Sequence, residues 1–226
     1  MANKFRSVFD IIGPIMVGPS SSHTAGALAL GKAAAQLFGM IPKKITIHYY
    51  ESFADTHLGH GTDFAILGGI LGLNADDPML PKAVEMAASQ QIAVSFFEEK
   101  DPSPVGHPNT ARMILERDDL RIVATGSSIG GGSIELNAVE IGDFQMTING
   151  HLPLYFIKQN SSHLGLFKLR DWEDFFTNHG YRLSDIRIFR EEENEWVILY
   201  LETSPSKEMI SEINTMPFIE QAILIR

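Results

Sequence analysis

The sequence predicts an α+β fold in two domains, and three observations support this prediction. The 226 residues exceed the roughly 100 to 150 residues of a common single domain. An Ala- and Leu-rich helical segment near the start is followed by a long succession of strand candidates. The pattern then restarts in a compact form after Asn149-Gly150. We therefore predict one domain over residues 1–148 and a second over residues 149–226.

The first predicted domain combines a few helices with a mostly antiparallel sheet. Residues 24–38 form the first predicted helix, because Ser and Thr precede the apolar run and Gly39 ends it. Residues 44–50 alternate apolar and polar side chains, which is the period of a half-buried strand. Pro and Gly separate the remaining elements, which are short helices over 62–71 and 81–88 and strands over 92–97, 110–116, 120–125 and 134–141.

The second predicted domain has the order strand, helix, strand, strand, helix, strand. The predicted strands are 152–158, 183–189, 196–203 and 218–225, and the predicted helices are 166–178 and 207–214. Asn178-His179-Gly180 ends the first of these helices, and Ser204-Pro205-Ser206 caps the second. Two helices on a four-stranded sheet, a ferredoxin-like domain, is the simplest arrangement of this order.

Composition and charge exclude several classes of function. Lys and Arg total 18 against 28 Asp and Glu, a formal charge of −10 without a local basic patch, so we predict neither a nucleic-acid nor a membrane partner. The chain has no apolar stretch of roughly 20 residues and no apolar signal core at its start, which predicts a cytoplasmic protein. The absence of cysteine excludes disulfides, thiolate nucleophiles and a cysteine-ligated cluster held by this chain alone.

The densest chemistry lies in residues 18–24, at the approach to the first predicted helix. A helix start offers free N–H groups and the positive end of the helix dipole, which suit a carboxylate. Four side-chain hydroxyls add donors there, those of Ser20, Ser21, Ser22 and Thr24. His23 can exchange a proton near neutral pH. An N-cap followed by a polar turn explains the same residues, and both interpretations remain open.

A second segment, residues 57–63, places His60 between two glycines. Flanking glycines leave the imidazole unshielded, which fits proton transfer, while Asp63 could orient an imidazole or cap the next helix. A glycine turn with a surface histidine is the alternative, and we interpret His57 as structural. Because His48, His57 and His60 have no acidic ligand on the same element, we predict no metal on this chain.

These motifs resemble those of a known enzyme family. Residues 5–14 and 18–26 together resemble the opening of the bacterial L-serine dehydratase β chain, and residues 59–63 resemble a second motif of that family. Residues 107–110 and 128–132 fall where the family has similar segments. The first domain also resembles the allosteric substrate-binding domain of some phosphoglycerate dehydrogenases. The second domain resembles the ACT domain. Where that family usually has an Asp-x-Pro-Gly-like turn after the first strand, this sequence has Ser162-His163-Leu164-Gly165, which keeps the glycine and lacks the acidic residue and the proline.

The resemblance implies an enzyme that converts L-serine to pyruvate and ammonia. A [4Fe–4S] cluster held by the cysteines of a separate α chain would act as Lewis acid on the serine hydroxyl, while a base removes the α-proton. The implied catalytic residues are His60 and His23. The implied substrate-binding residues are Ser20, Ser21, Ser22, Thr24, Thr62 and Asp63. The implied partners are the α chain and L-serine, with a homodimer expected for the isolated chain.

Two other classes of function remain as alternatives. The chain could be a stand-alone amino-acid-binding regulatory protein without catalysis, in which the first domain and the ACT-like tail bind an effector. A self-contained hydrolase using Ser22 and His23 is the weaker alternative, because adjacent residues seldom point together and no Gly-x-Ser-x-Gly elbow is present.

Overall fold

The computed structural model describes residues 15–142, 144–159, 167–191 and 194–226, and this part of the chain has an α+β fold, as predicted. The motif at residues 5–14 and the turn at residues 162–165 lie outside the described residues. The chain divides into two compact units, Met1–Asn149 and Gly150–Arg226. None of the helices in the described ranges is both long and apolar enough to cross a membrane.

The first unit contains four α-helices and six strands in its described part. A π-helical turn, Ser21–Ala25, leads into α1, and a 3-10 turn, Leu80–Lys82, leads into α4. The helices are α1 Gly26–Phe38, α2 Glu51–His60, α3 Thr62–Ile70 and α4 Ala83–Ser89. The strands are β1 Lys44–Tyr50, β2 Ala93–Glu98, β3 Thr110–Arg117, β4 Leu120–Gly130, β5 Ser133–Ile141 and β6 Phe144–His151.

The six strands form one mixed sheet in the order β2-β1-β3-β4-β5-β6. β1 pairs in parallel with β2 and antiparallel with β3, while β3–β4 and β4–β5 are antiparallel pairs. α1 packs against both the sheet and α3. The two helices approach closely because Gly31 and Gly69 lack side chains: a Cβ on Gly69 would overlap the carbonyl of Leu28, and one on Gly31 would overlap that of Ile66. At this close crossing, Leu28 near the start of α1 lies beside Gly69 near the end of α3.

The structure corrects several sequence-based predictions in this unit. The segment 57–61, for which a glycine turn was the alternative interpretation, is the last turn of α2 and its cap, and α2 itself was not predicted. β6 was also not predicted. The first helical segment begins at Ser21, ahead of the predicted Thr24. β4 continues to Gly130, beyond the predicted end at residue 125, so that Ser127 and Ser128 are buried residues of this strand.

The second unit has the predicted order of two helices and four strands. Its elements are β7 Leu154–Gln159, α5 Leu169–Asn178, β8 Leu183–Glu191, β9 Asn194–Leu201, α6 Lys207–Asn214 and β10 Ile219–Ile225. The sheet order is β10-β7-β9-β8. α5 and α6 bury Trp172, Phe176 and Ile213 in one hydrophobic core with the sheet. Ser206 caps α6, since its side chain accepts a hydrogen bond from the Met209 amide at 3.2 Å.

Candidate active site

The turn before α1 is built around Ser20, which is the N-cap of the helical segment. Its Oγ accepts a hydrogen bond from the His23 amide at 3.1 Å, and its carbonyl accepts one from the Thr24 amide at 2.8 Å. Gly18, with φ of 142°, precedes it, and a Cβ there would overlap the Thr24 side chain. The amides of Ser21 and Ser22 come first in the helix, before any intrahelical acceptor is available. They are therefore donors for a ligand at this end.

The imidazole of His23 is surrounded by serine hydroxyls. Its Nδ1 lies 2.9 Å from Ser22 Oγ and 3.4 Å from Ser20 Oγ, and its Nε2 lies 3.1 Å from Ser52 Oγ. A hydroxyl can donate or accept, so these contacts accommodate either tautomer. Burial lowers the pKa of His23, and the nearby His60 lowers it further, against a smaller opposing effect of a hydrogen bond with Ser52. His23 is therefore neutral at pH 7 and able to accept a proton.

His60 lies next to His23 at the C-terminal end of α2. The two ring centroids are 4.8 Å apart, and the ring planes are tilted by 48°. The buried Thr24 donates a hydrogen bond from its Oγ1 to the His60 carbonyl at 3.0 Å, which ties the start of α1 to the end of α2. His60 Nδ1 is buried and has no hydrogen-bond partner within the described residues. An unsatisfied buried polar atom is costly, and catalytic groups are one reason that proteins retain them.

Thr62 and Asp63, which were both predicted to bind substrate, have different surroundings in the structure. Thr62 is fully buried at the start of α3, and its Oγ1 has no partner among the residues that the structure describes. Asp63 Oδ1 lies 2.7 Å from His57 Nδ1. Asp63 therefore orients an imidazole, as the sequence allowed, but the imidazole is that of His57 and not that of His60.

His57 is the residue that sequence reasoning most underestimated. Only 6% of it is exposed, and its two ring nitrogens face the carboxylates of Asp63 and Glu98, the second at 2.8 Å. Its ring stacks on that of Tyr49 at a centroid distance of 4.9 Å. Burial lowers the pKa of His57, but the hydrogen bonds with Glu98 and Asp63 outweigh it and raise the pKa above the ordinary value.

The arrangement as a whole suits a small carboxylate ligand that exchanges a proton. It offers two adjacent imidazoles, a group of serine hydroxyls and the first backbone amides of a helical segment. In the described ranges, no group of three or more His, Cys, Asp and Glu is placed to hold a metal ion. The site therefore supplies binding and acid–base groups.

Comparison with known proteins identifies the family. The family model described as serine dehydratase beta chain matches residues 7–99. The probable L-serine dehydratase beta chain of Bacillus subtilis (strain 168) is 45% identical over 157 residues, 70% of each chain. The chain belongs to the serine dehydratase beta chain family. This confirms the predicted family, and the two motifs at 18–24 and 59–63 both lie within the matched residues.

Other relatives in this dehydratase family are covered less completely. The L-serine dehydratase beta chain of Peptoniphilus asaccharolyticus is 37% identical over 132 residues, which are 58% of this chain and 59% of that protein. L-serine dehydratase TdcG of Escherichia coli (strain K12) is 37% identical over 150 residues, which are 57% of this chain and 33% of TdcG. The chain thus corresponds to only a third of the length of TdcG.

Proposed function

We propose that this chain is the β subunit of a two-chain L-serine dehydratase that converts L-serine to pyruvate and ammonia. The observation that carries the proposal is the pair formed by His23 and His60, with ring centroids 4.8 Å apart at the hydroxyl-rich start of α1. The proposed reaction is inferred from family membership. The site offers the binding and proton-transfer groups that this reaction would need from this chain.

In this proposal the start of α1 binds the substrate carboxylate. The free amides of Ser21 and Ser22 and the hydroxyls of Ser20 and Ser22 donate to its oxygens, and the positive end of the helix dipole favours the negative charge. A carboxylate held there lies beside both imidazoles. Binding at this end therefore brings the α-carbon of serine within reach of a base.

His60 is the proposed base for the α-proton, and His23 is the second proton-transfer group. Removal of the α-proton forms the Cα–Cβ double bond as the hydroxyl leaves Cβ, and the resulting enamine tautomerises and hydrolyses to pyruvate and ammonia. Because His23 is neutral at pH 7 and close by, it can share or return the proton. Thr24, which holds the His60 carbonyl, fixes the backbone of the base.

The residues of this chain do not fit an iron–sulfur cluster as its ligands. The chain contains no cysteine, and thiolates are the usual ligands of such clusters. We therefore propose that the [4Fe–4S] cluster is ligated by a cysteine-bearing α chain, and that this chain completes the site with substrate-binding and proton-transfer residues. The complex is proposed to be cytoplasmic, and the isolated chain to be a homodimer.

The second unit is proposed to be an ACT-like domain. Two helices, α5 and α6, pack with a sheet of order β10-β7-β9-β8, which places the first strand of the unit beside its third and fourth strands. This order supports a ferredoxin-like topology. We accordingly assign residues 1–148 to the serine dehydratase β domain and residues 149–226 to the ACT-like domain.

The proposal is tested by anaerobic turnover of L-serine, with pyruvate as the readout. The chain alone, a cysteine-bearing partner alone and their mixture are assayed after iron–sulfur reconstitution, and only the mixture is expected to be active. Activity of the partner alone, unaffected by this chain, would instead favour a regulatory protein without catalysis.

Within the active mixture, His60→Ala is expected to abolish turnover while leaving the chain folded. His48→Ala is the matched control, since His48 is a half-buried histidine of β1 whose ring pairs with Glu99 and which was not assigned to the site. Near-normal turnover by His60→Ala would remove His60 from the mechanism.

A further inference from the structure

His60 lies in a short turn that His57 closes at both the backbone and the side chain. The His57 carbonyl accepts a hydrogen bond from the Gly61 amide, which caps α2. Its ring Nδ1 lies 2.7 Å from Oδ1 of Asp63, in the first turn of α3. Residues 57 and 63 thus bracket the segment that contains His60, and the bond between them fixes how α2 passes into α3.

The other side of the His57 ring is anchored to the sheet. Nε2 lies 2.8 Å from Glu98 Oε1 at the end of β2, and the ring stacks on Tyr49 of β1 at 4.9 Å. The turn that carries His60 is therefore tied through one imidazole to three different elements. The side chains of His57 and Asp63 are 8% and 18% exposed, whereas that of Glu98 is 64% exposed, so the bond to Asp63 is better shielded from water than the bond to Glu98.

The two contacts set the protonation state in which His57 can serve this role. Both ring nitrogens face carboxylate oxygens, which only accept hydrogen bonds. A neutral imidazole carries one N–H and would turn a lone pair toward the other carboxylate. Only the imidazolium donates to both Asp63 and Glu98, so the complete arrangement requires the charged form.

We propose that His57 is a positioning residue for His60: as an imidazolium held between Asp63 and Glu98, it closes the turn that presents the base. The inference rests on the proposed function, because it assigns His57 a task within that reaction. His57 is not a catalytic residue here, since it acts through the backbone and geometry of the turn.

The surroundings of His57 favour its charged form. Tyr49, Asp63 and Glu98 face the ring from β1, α3 and β2. His57 and Glu98 also line an open groove of about 710 Å³ whose other charged residues are Glu51, Asp55, Glu99, Lys100 and Asp101. Because the pKa of His57 is raised, the arrangement is complete below that pKa and is lost as the pH rises through it.

The first test uses the full-length chain without its partner and reads out the turn directly. Histidine ring NMR and amide hydrogen exchange are measured in His57→Asn and in the milder Glu98→Gln. His48→Asn and Glu99→Gln are matched controls, because His48 of β1 and Glu99 form a comparable histidine–carboxylate pair at 2.6 Å whose histidine is not in the segment 57–63. We expect faster amide exchange at residues 58–62 and a shifted His60 ring signal in His57→Asn and Glu98→Gln. The two control variants should show neither change. Unchanged exchange and signals in both variants would overturn the proposal.

The second test uses the reconstituted two-chain enzyme. His57→Asn is expected to lower kcat by up to about 100-fold with little change in KM, because a misplaced base affects the transition state and not substrate binding. Glu98→Gln removes the negative charge of a carboxylate that raises the pKa of His57, so the alkaline limb of the kcat profile should move to lower pH. Glu99→Gln should leave that limb in place.

The outcomes separate this inference from the proposed function. Loss of turnover in His60→Ala, together with wild-type kcat and pH profile in both His57→Asn and Glu98→Gln, would overturn the positioning role and leave the function standing. Near-normal turnover in His60→Ala would overturn the function and, with it, the role of His57.

Discussion

The ionisation of His23 depends on its neighbour His60 because the two rings are close and partly shielded from water. Burial is the larger cause of the lowered pKa of His23, and the proximity of His60, at a ring distance of 4.8 Å, adds to it. A positive charge on His60 at this distance would oppose protonation of the His23 ring. His23 therefore stays neutral, and available as a base, to a lower pH than an ordinary histidine.

This coupling predicts how the pKa of His23 responds to removal of its neighbour. In His60→Asn the pKa of His23 should rise but stay below the ordinary value of 6.5, because burial remains. An NMR titration of the His23 ring measures both effects, with His48→Asn as the control. Because the pKa of His23 is lower in the folded than in the unfolded chain, His23 also lowers the free energy of unfolding as the pH falls below 6.5. A pKa of His23 unchanged by His60→Asn would contradict the coupling.

Ser22 provides a residue-scale test of substrate binding. Its hydroxyl lies 2.9 Å from His23 Nδ1 at the proposed carboxylate site. Loss of one hydrogen bond to a charged ligand should raise the KM for serine roughly tenfold in Ser22→Ala. Ser89→Ala is the control, because the exposed Ser89 hydroxyl at the end of α4 donates to the Met86 carbonyl at 2.7 Å. Unchanged kinetics in Ser22→Ala would assign the hydroxyl to the turn alone.

The part of the site that lies in contiguous residues was predictable from sequence, and the part built by the fold was not. Two of the predicted residues, Ser20 and Ser22, do contact the His23 ring, because neighbours in the sequence are neighbours in the turn. Ser52 and Glu98 were missed because they are 29 and 41 residues from the imidazoles that they contact. The fold brings them together, because β2 pairs with β1 and Thr24 ties the turn that carries His23 to the end of α2.

At the scale of elements, α2 shows why local pattern was insufficient. It starts immediately after β1 at Glu51, whose φ is 46°, without a side-chain cap at Tyr50. Neither a cap nor an apolar stripe marks the segment, so the sequence contains no conventional helix signal. β1 and α6, in contrast, match their predicted bounds because alternation in one and the Ser206 cap in the other are local signals.

The glycines on either side of His60 differ in their structural roles, and this difference can be measured. Gly61 has φ of 69° and a Cβ there would overlap the Phe64 ring, so Gly61→Ala should lower the free energy of unfolding by at least about 1 kcal/mol. Gly59 is helical with open space around it, so Gly59→Ala should raise that free energy by about 0.5 to 1 kcal/mol. Urea unfolding of both variants gives the comparison. Equal effects would contradict the assigned end of α2.

At the scale of the whole molecule, the second unit raises the question of assembly. Its sheet has the order β10-β7-β9-β8, so β8 and β10 are its two edge strands. Edge strands carry backbone donors and acceptors on one side that are free to pair with another chain. If the second unit mediates the proposed homodimer, the first unit alone should lack this mode of association.

Removal of the second unit tests this directly. A chain ending after His151 keeps all of β6, whereas a cut after Asn149 would shorten that strand. Light scattering should give twice the chain mass for the full-length protein and the single-chain mass for the truncated one, because the truncated chain lacks β8 and β10. Unfolding by urea serves as the control that the first unit remains folded. A folded truncated chain that still has twice its own mass would place the dimer contact in the first unit.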